Sequence, residues 1–151
     1  MSEKVDFWST KSLYEALSDH EMTTTGRARI ELIDGVDASL HIVMTEYGDL
    51  PIFLTVSGEQ IIAESVLWPA SDVVDVAAFN DAVLRTHKYF PLSTISLDRI
   101  SDDDEVYQMF GALSAASKLQ NVVLEIEVLA SNVLQATQAY MEFLDVTAEA
   151  V

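Results

Sequence analysis

Cysteine is absent from the 151 residues of this chain. That absence excludes disulfides, thiolate metal centres and cysteine nucleophiles together, and with them a disulfide-stapled secreted scaffold. Glycine occurs 5 times and proline 3 times. Turns alone can absorb that supply, and no phosphate-cradling loop, dinucleotide fingerprint or nucleophile elbow occurs. Basic residues are also scarce, with 8 Lys+Arg against 25 Asp+Glu and a formal charge of −17. That deficit disfavours binding to nucleic-acid phosphates, which needs Lys and Arg. It equally disfavours anionic lipid surfaces. No run of about 18 apolar residues occurs, so no membrane-spanning helix is expected. Met1 to Trp8 mix charges and lack the apolar stretch of a signal peptide, so a cytoplasmic location is expected.

What is present is apolar. Half of the residues are hydrophobic and the mean hydropathy is +0.21. High charge signals disorder only where hydrophobicity is low, so a folded, acidic protein is expected. A chain of this length buries roughly 70% of its unfolded surface without needing staples. The acids are spread over both halves, and no linker tract or internal repeat divides them. Residues 1–151 therefore read as a single acidic domain, with 1–8 and 146–151 expected to fray. The charge has two readings. One is a solvating envelope or adaptation to salt; the other is a complement to a basic or apolar partner surface.

Periodicity supplies the elements. Ser9 or Thr10 can cap a helix carrying Leu13, Tyr14, Ala16 and Leu17, ended by Met22 to Gly26. Arg27 to Ile33, Ser39 to Thr45, Leu50 to Val56 and Gln60 to Trp68 read as strands joined by short turns at Asp34-Gly35, Gly48-Asp49 and Ser57-Gly58. Such turns predict an antiparallel meander. Pro51 suggests a sheet edge or a strand start. A middle helix is expected with Val76, Phe79, Ala82, Val83 and His87 on one face, stopped by Pro91. Leu92 to Ile100 and Val106 to Leu113 form a hairpin around the acidic loop Ser101 to Glu105. Leu119, Ile126, Val133 and Tyr140 then recur every seven residues, with Val122, Leu129, Ala136 and Phe143 three positions later. This is either a long helix lying on the sheet or one that also pairs with a second copy. Leu124 to Val128 alternate like a strand, which leaves the helix start open. The fold class is α+β: an antiparallel sheet, meander plus hairpin, with an N-terminal, a middle and a long C-terminal helix.

Chemistry is sparse. His20 is placed to close the first helix, where a cationic side chain suits the helix dipole; His41 is mid-strand, and His87 lies in the stretch Arg85 to Phe90. No two histidines have i, i+4 spacing, so no metal site or cofactor is expected. Asp102 to Glu105 lack the alternating ligands and glycine of a calcium loop. Glu125 and Glu127 are two apart and diverge on a helix. The one basic island is Arg85, His87 and Lys88 with Tyr89 beside them. It reads as helix C-capping, or as a contact for an anion or an acidic peptide.

Leu50 to Ile62, Val83 to Ile95 and Phe110 to Ser114 resemble the YjfI-like family of small bacterial proteins of uncharacterised function. The stretch Leu84-Arg-Thr-His-Lys-Tyr-Phe-Pro-Leu-Ser93 is its most specific part. The resemblance covers about residues 25–145. It implies a cytoplasmic protein of Gram-negative bacteria, with a gene neighbourhood holding membrane-stress proteins of the phage-shock, PspA kind. It brings no catalytic residues. The element order is similar to that of type III secretion chaperones, which are small, acidic and dimeric. It departs from them by having four strands rather than three before the middle helix.

The expected function is therefore a non-enzymatic, chaperone-like adaptor. It would be a homodimer through Leu119, Ile126, Val133 and Tyr140 and would bind a protein such as a PspA-like coiled coil. The alternative is a small-molecule site or enzyme around Arg85 and His87 with Glu59 or Glu64. A third possibility is a purely structural subunit built on the last helix.

Overall fold

A computed structural model describes residues 6–145. The expectation of fraying at 1–5 and 146–151 lies outside the described residues. Trp8 is not frayed, because its backbone N–H donates to Ala115 O (2.9 Å) and its Nε1–H to Ser117 O (2.7 Å).

The chain opens with α1 (Thr10–Asp19), whose cap is Ser9. Ser9 and Ser12 exchange side-chain and backbone bonds as a capping box, and Leu13 and Leu17 face inward. Met22 to Gly26 do not simply end the helix. They form a further helical turn, α2 (Glu21–Thr24), with Met22 buried. His20 was expected to offer a cation to the helix end. Instead its Nδ1 accepts the Met22 N–H at 3.0 Å and caps α2.

Strands β1 (Ala28–Ile33), β2 (Ser39–Met44), β3 (Leu50–Ser57) and β4 (Gln60–Pro69) form the expected meander. After α3 (Val76–Thr86), capped by Asp75, the hairpin β5 (Thr94–Arg99) and β6 (Glu105–Ser114) completes one antiparallel sheet of order β1-β2-β3-β4-β6-β5. Pro51 is in an interior strand, at its start rather than at a sheet edge. The β3–β4 ladder stops at Phe53↔Glu64, short of Pro51, so its missing N–H breaks no pair of that ladder. The buried Ser65 hydroxyl takes the Pro51 carbonyl instead, at 2.8 Å.

The last helix, α4 (Leu119–Ala139), begins at Leu119, which settles the alternating stretch Leu124 to Val128 as helix. It lies across β3, β4 and β6. Ile126, Val133 and Tyr140 are buried inside this chain's own core, and Leu119 packs against it. The heptad stripe is thus satisfied within the chain. The helices all sit on one side of the sheet. Leu40, Ile42, Ile52, Leu54, Ile61, Ala63 and Met109 point to them and are fully buried. Val76 was expected on the inner face of α3 but is exposed, because α3 meets the core through Phe79 and Val83 only.

Candidate functional site

Alternation along each strand sends every second residue to the face that carries no helix. Register fixes which of these residues meet. Glu31, His41, Phe53, Glu64, Phe110 and Thr94 form one continuous row across all six strands. The His41 and Phe53 rings stack at 4.9 Å with an interplanar angle of 10°. Phe53 and Val66 remain 37% and 47% exposed, so this is a solvated face bearing apolar side chains.

Besides Glu31 at one edge, that face carries Glu64 and Asp98 in its β4–β6–β5 half. Gln108 Nε2 donates to Asp98 at 2.8 Å, and the Ser96 hydroxyl is 3.4 Å from the same oxygen. Glu64 lies between Phe53 and Phe110. Burial among these neighbours raises its pKa above the ordinary carboxylate value, and repulsion from Asp98 adds to the rise.

The basic island is dispersed by the fold. Arg85 is spent on Asp81 one helical turn back, Nε to Oδ2 at 2.9 Å, and both are exposed. His87 Nδ1 accepts the Ile95 N–H at 3.3 Å, which ties the end of the middle helix to β5. Lys88 lies 5.5 Å from the Tyr89 ring centroid. Glu59 and Glu64 do not join them. Glu59 is at the β3–β4 turn, and Glu64 points away from the helix layer. Among the described residues no three His, Asp or Glu side chains converge on a possible metal position. No helix among them is long and apolar enough to cross a membrane.

Tyr89 does share a groove with Tyr140, which no spacing in the sequence indicates. They line a groove of about 300 Å³ between the ends of α3 and α4, together with Phe90, Phe143, Thr86 and Glu142. A second cavity, of about 210 Å³, lies beside it against Trp68, Asp72 and Thr137.

Two buried polar residues on α4 were also missed. Asn132 donates to Pro91 O (2.8 Å) and Ser93 Oγ (2.9 Å), pinning the turn before β5. Glu125 is only 6% exposed and faces Gly111 of β6. Burial alone raises its pKa. Leu92, whose carbonyl approaches the same spot, has φ of +67°. A signal existed: Glu125 and Asn132 are seven apart and immediately precede the stripe residues Ile126 and Val133. Polar residues there belong to the buried side of a broad helical stripe.

The protein family described as uncharacterised and conserved in bacteria, DUF2170, matches residues 7–144. Two curated relatives, both called YjfI, come from Escherichia coli K12 and Escherichia coli O157:H7. Each is 32% identical over 136 residues, covering 90% of this chain and 97% of the relative. Among solved structures, YbjN from E. coli, described as a proposed transcription regulator, shares the fold. The TM-score is 0.61 at 14% identity, over 91% of this chain and 96% of that one. The six-stranded sheet with helices on one side is thus an architecture met elsewhere, and by the match to its sequence pattern and to YjfI this chain belongs to the DUF2170 family of bacterial proteins.

Proposed function

We propose that this chain is a non-enzymatic, chaperone-like adaptor that holds a basic, amphipathic segment of a partner protein on the uncovered face of its sheet. The observation that carries the reading is the placement of two mutually repelling carboxylates, Glu64 and Asp98, on a face that also presents Phe53, Val66 and Phe110. A Lys or Arg set between the carboxylates relieves their repulsion, while the rings and Val66 take the apolar side of the segment. The total charge of −17 speeds and orients the encounter more than it adds affinity.

The resemblance to the YjfI-like family makes a PspA-like coiled-coil protein of a membrane-stress system the first partner to test, with a cytoplasmic meeting place. The description of YbjN as a proposed transcription regulator fits the same reading if regulation acts through protein contact, since the acidic charge repels DNA phosphates. A homodimer belongs to this proposal only through residues outside the α4 stripe, which is already packed.

The test is capture from native lysate at low and moderate salt, with the Glu64→Lys, Asp98→Lys double variant beside the parent. One stoichiometric partner, lost in the double variant while the circular dichroism spectrum is kept, is expected. Background alone, or capture indifferent to the two charge reversals, overturns the proposal.

A further inference from the structure

The groove between the ends of α3 and α4 shares no residue with the sheet face, so what it binds is independent of the adaptor reading. Its walls are aromatic. Phe90 and Phe143 flank Tyr140 with centroids at 5.9 and 6.5 Å, tilted by 48° and 54°. These rings neither stack nor close on each other, and they leave a concave space whose outer edge is the largely exposed Tyr89.

The polar groups in the groove are mostly acceptors. Thr86 Oγ1 gives its single proton to Ala82 O at 2.6 Å. Tyr140 Oη, 2.7 Å from Thr86 Oγ1, must therefore be the donor in that pair. The Tyr140 hydroxyl proton is consumed, and only its lone pair is left. Glu142 adds a carboxylate, an acceptor when ionised. Tyr89 keeps a free phenol at the rim. An anion would meet no charged donor on this lining. Arg85 is already paired with Asp81, His87 presents an accepting Nδ1 to Ile95, and Lys88, outside the lining, lies 5.5 Å from the centroid of the Tyr89 ring, so Phe90 and Phe143 are the ring walls that no cation already faces.

From the aromatic walls, the spent tyrosine proton, the carboxylate at the rim and a chain charge of −17, we infer that this groove is a binding site for a small organic cation, an alkylated ammonium. Ring faces attract such a cation electrostatically, and Glu142 neutralises it. A volume of about 300 Å³ is at the lower end for ligand sites, which suits one small head group rather than an extended molecule.

The probe is choline, titrated into the full chain and followed by heteronuclear NMR. Its neutral isostere 3,3-dimethyl-1-butanol is titrated in parallel. Choline should shift resonances of Tyr89, Tyr140 and Phe143, and the isostere should not. Glu142→Gln and Tyr89→Ala, both at exposed positions, should each weaken choline binding about fivefold, as expected for loss of one partner in such a site. Equal binding of the isostere overturns the inference, because the groove would then be merely apolar. Shifts scattered over the acidic surface, insensitivity to Glu142→Gln, or no shift at saturating choline overturn it as well.

Discussion

A methyl group added at Gly111 tests how α4 is seated on the sheet. A Cβ there would collide with Glu125 Oε1 and stand 2.8 Å from its Cδ and 3.1 Å from the Leu92 carbonyl oxygen. A carboxyl end usually swings aside cheaply. This one is only 6% exposed, and the third neighbour is backbone between Pro91 and Ser93, the two residues that Asn132 holds. Overpacking of this kind costs about 1–3 kcal/mol. The lower entropy of the unfolded alanine chain returns ~0.4–1 kcal/mol. Gly111→Ala should therefore lose about 1–2 kcal/mol net, at roughly 2–4 °C of Tm per kcal/mol for a domain of this size. Shortening the obstructing side chain should remove the penalty. In a Glu125→Ala background the same substitution should be nearly neutral, giving an interaction energy of about 1–2 kcal/mol in a double-mutant cycle. Urea unfolding of the four proteins at one pH, with m-values compared, measures it. A stable Gly111→Ala single variant, or the same loss in both backgrounds, refutes the argument.

Glu125 should also leave a mark on the pH dependence of stability. Burial holds its folded-state pKa above the ordinary 4.5, so the folded chain binds its proton more tightly than the unfolded chain does. Its contribution is whole below pH 4.5 and is lost as the pH rises through the raised value. Glu125→Gln should flatten that part of the fall, seen by thermal melts at a series of pH values; an unchanged slope speaks against the buried acid. Changing Ile126 and Val133 together to Asp places two charges in the core, at 0% and 5% exposure. The loss should exceed the ~5–15 kcal/mol that holds a domain together. Circular dichroism should show an unfolded chain, whereas a folded species of half the parent's size would show that the stripe joins two copies. Raising salt from low to moderate should raise the Tm by screening the charge of −17. A flat response would mean that the carboxylates are already balanced locally.

The elements were legible because their signals are local. Turn dipeptides mark the meander, Asp75 and Pro91 bracket the middle helix, and the heptad spacing marks α4. The sequence left the outcome open where one residue serves two neighbours. His20 ends one helix and caps the next, which no spacing rule separates from a cation on a helix dipole. Pro51 sits in an interior strand because β4 has left the ladder at that point and a serine takes over the carbonyl. Arg85, His87 and Lys88 form a cluster in sequence, yet helical geometry hands the first to Asp81 and the second to a strand N–H.

The sequence by itself determined the acidity, the α+β class, the six strands and which side of each strand is apolar. Those properties follow from composition and from periods of two and of three to four residues, all set by near neighbours. Only the tertiary structure decided that β6 inserts between β4 and β5, which places Phe110 beside Glu64 and brings Asp98 within repelling range. It likewise decided that Tyr89 and Tyr140, 51 positions apart in the chain, share one groove. Strand order and the meeting of helix ends are settled by the burial of the whole core, and no local pattern carries that information.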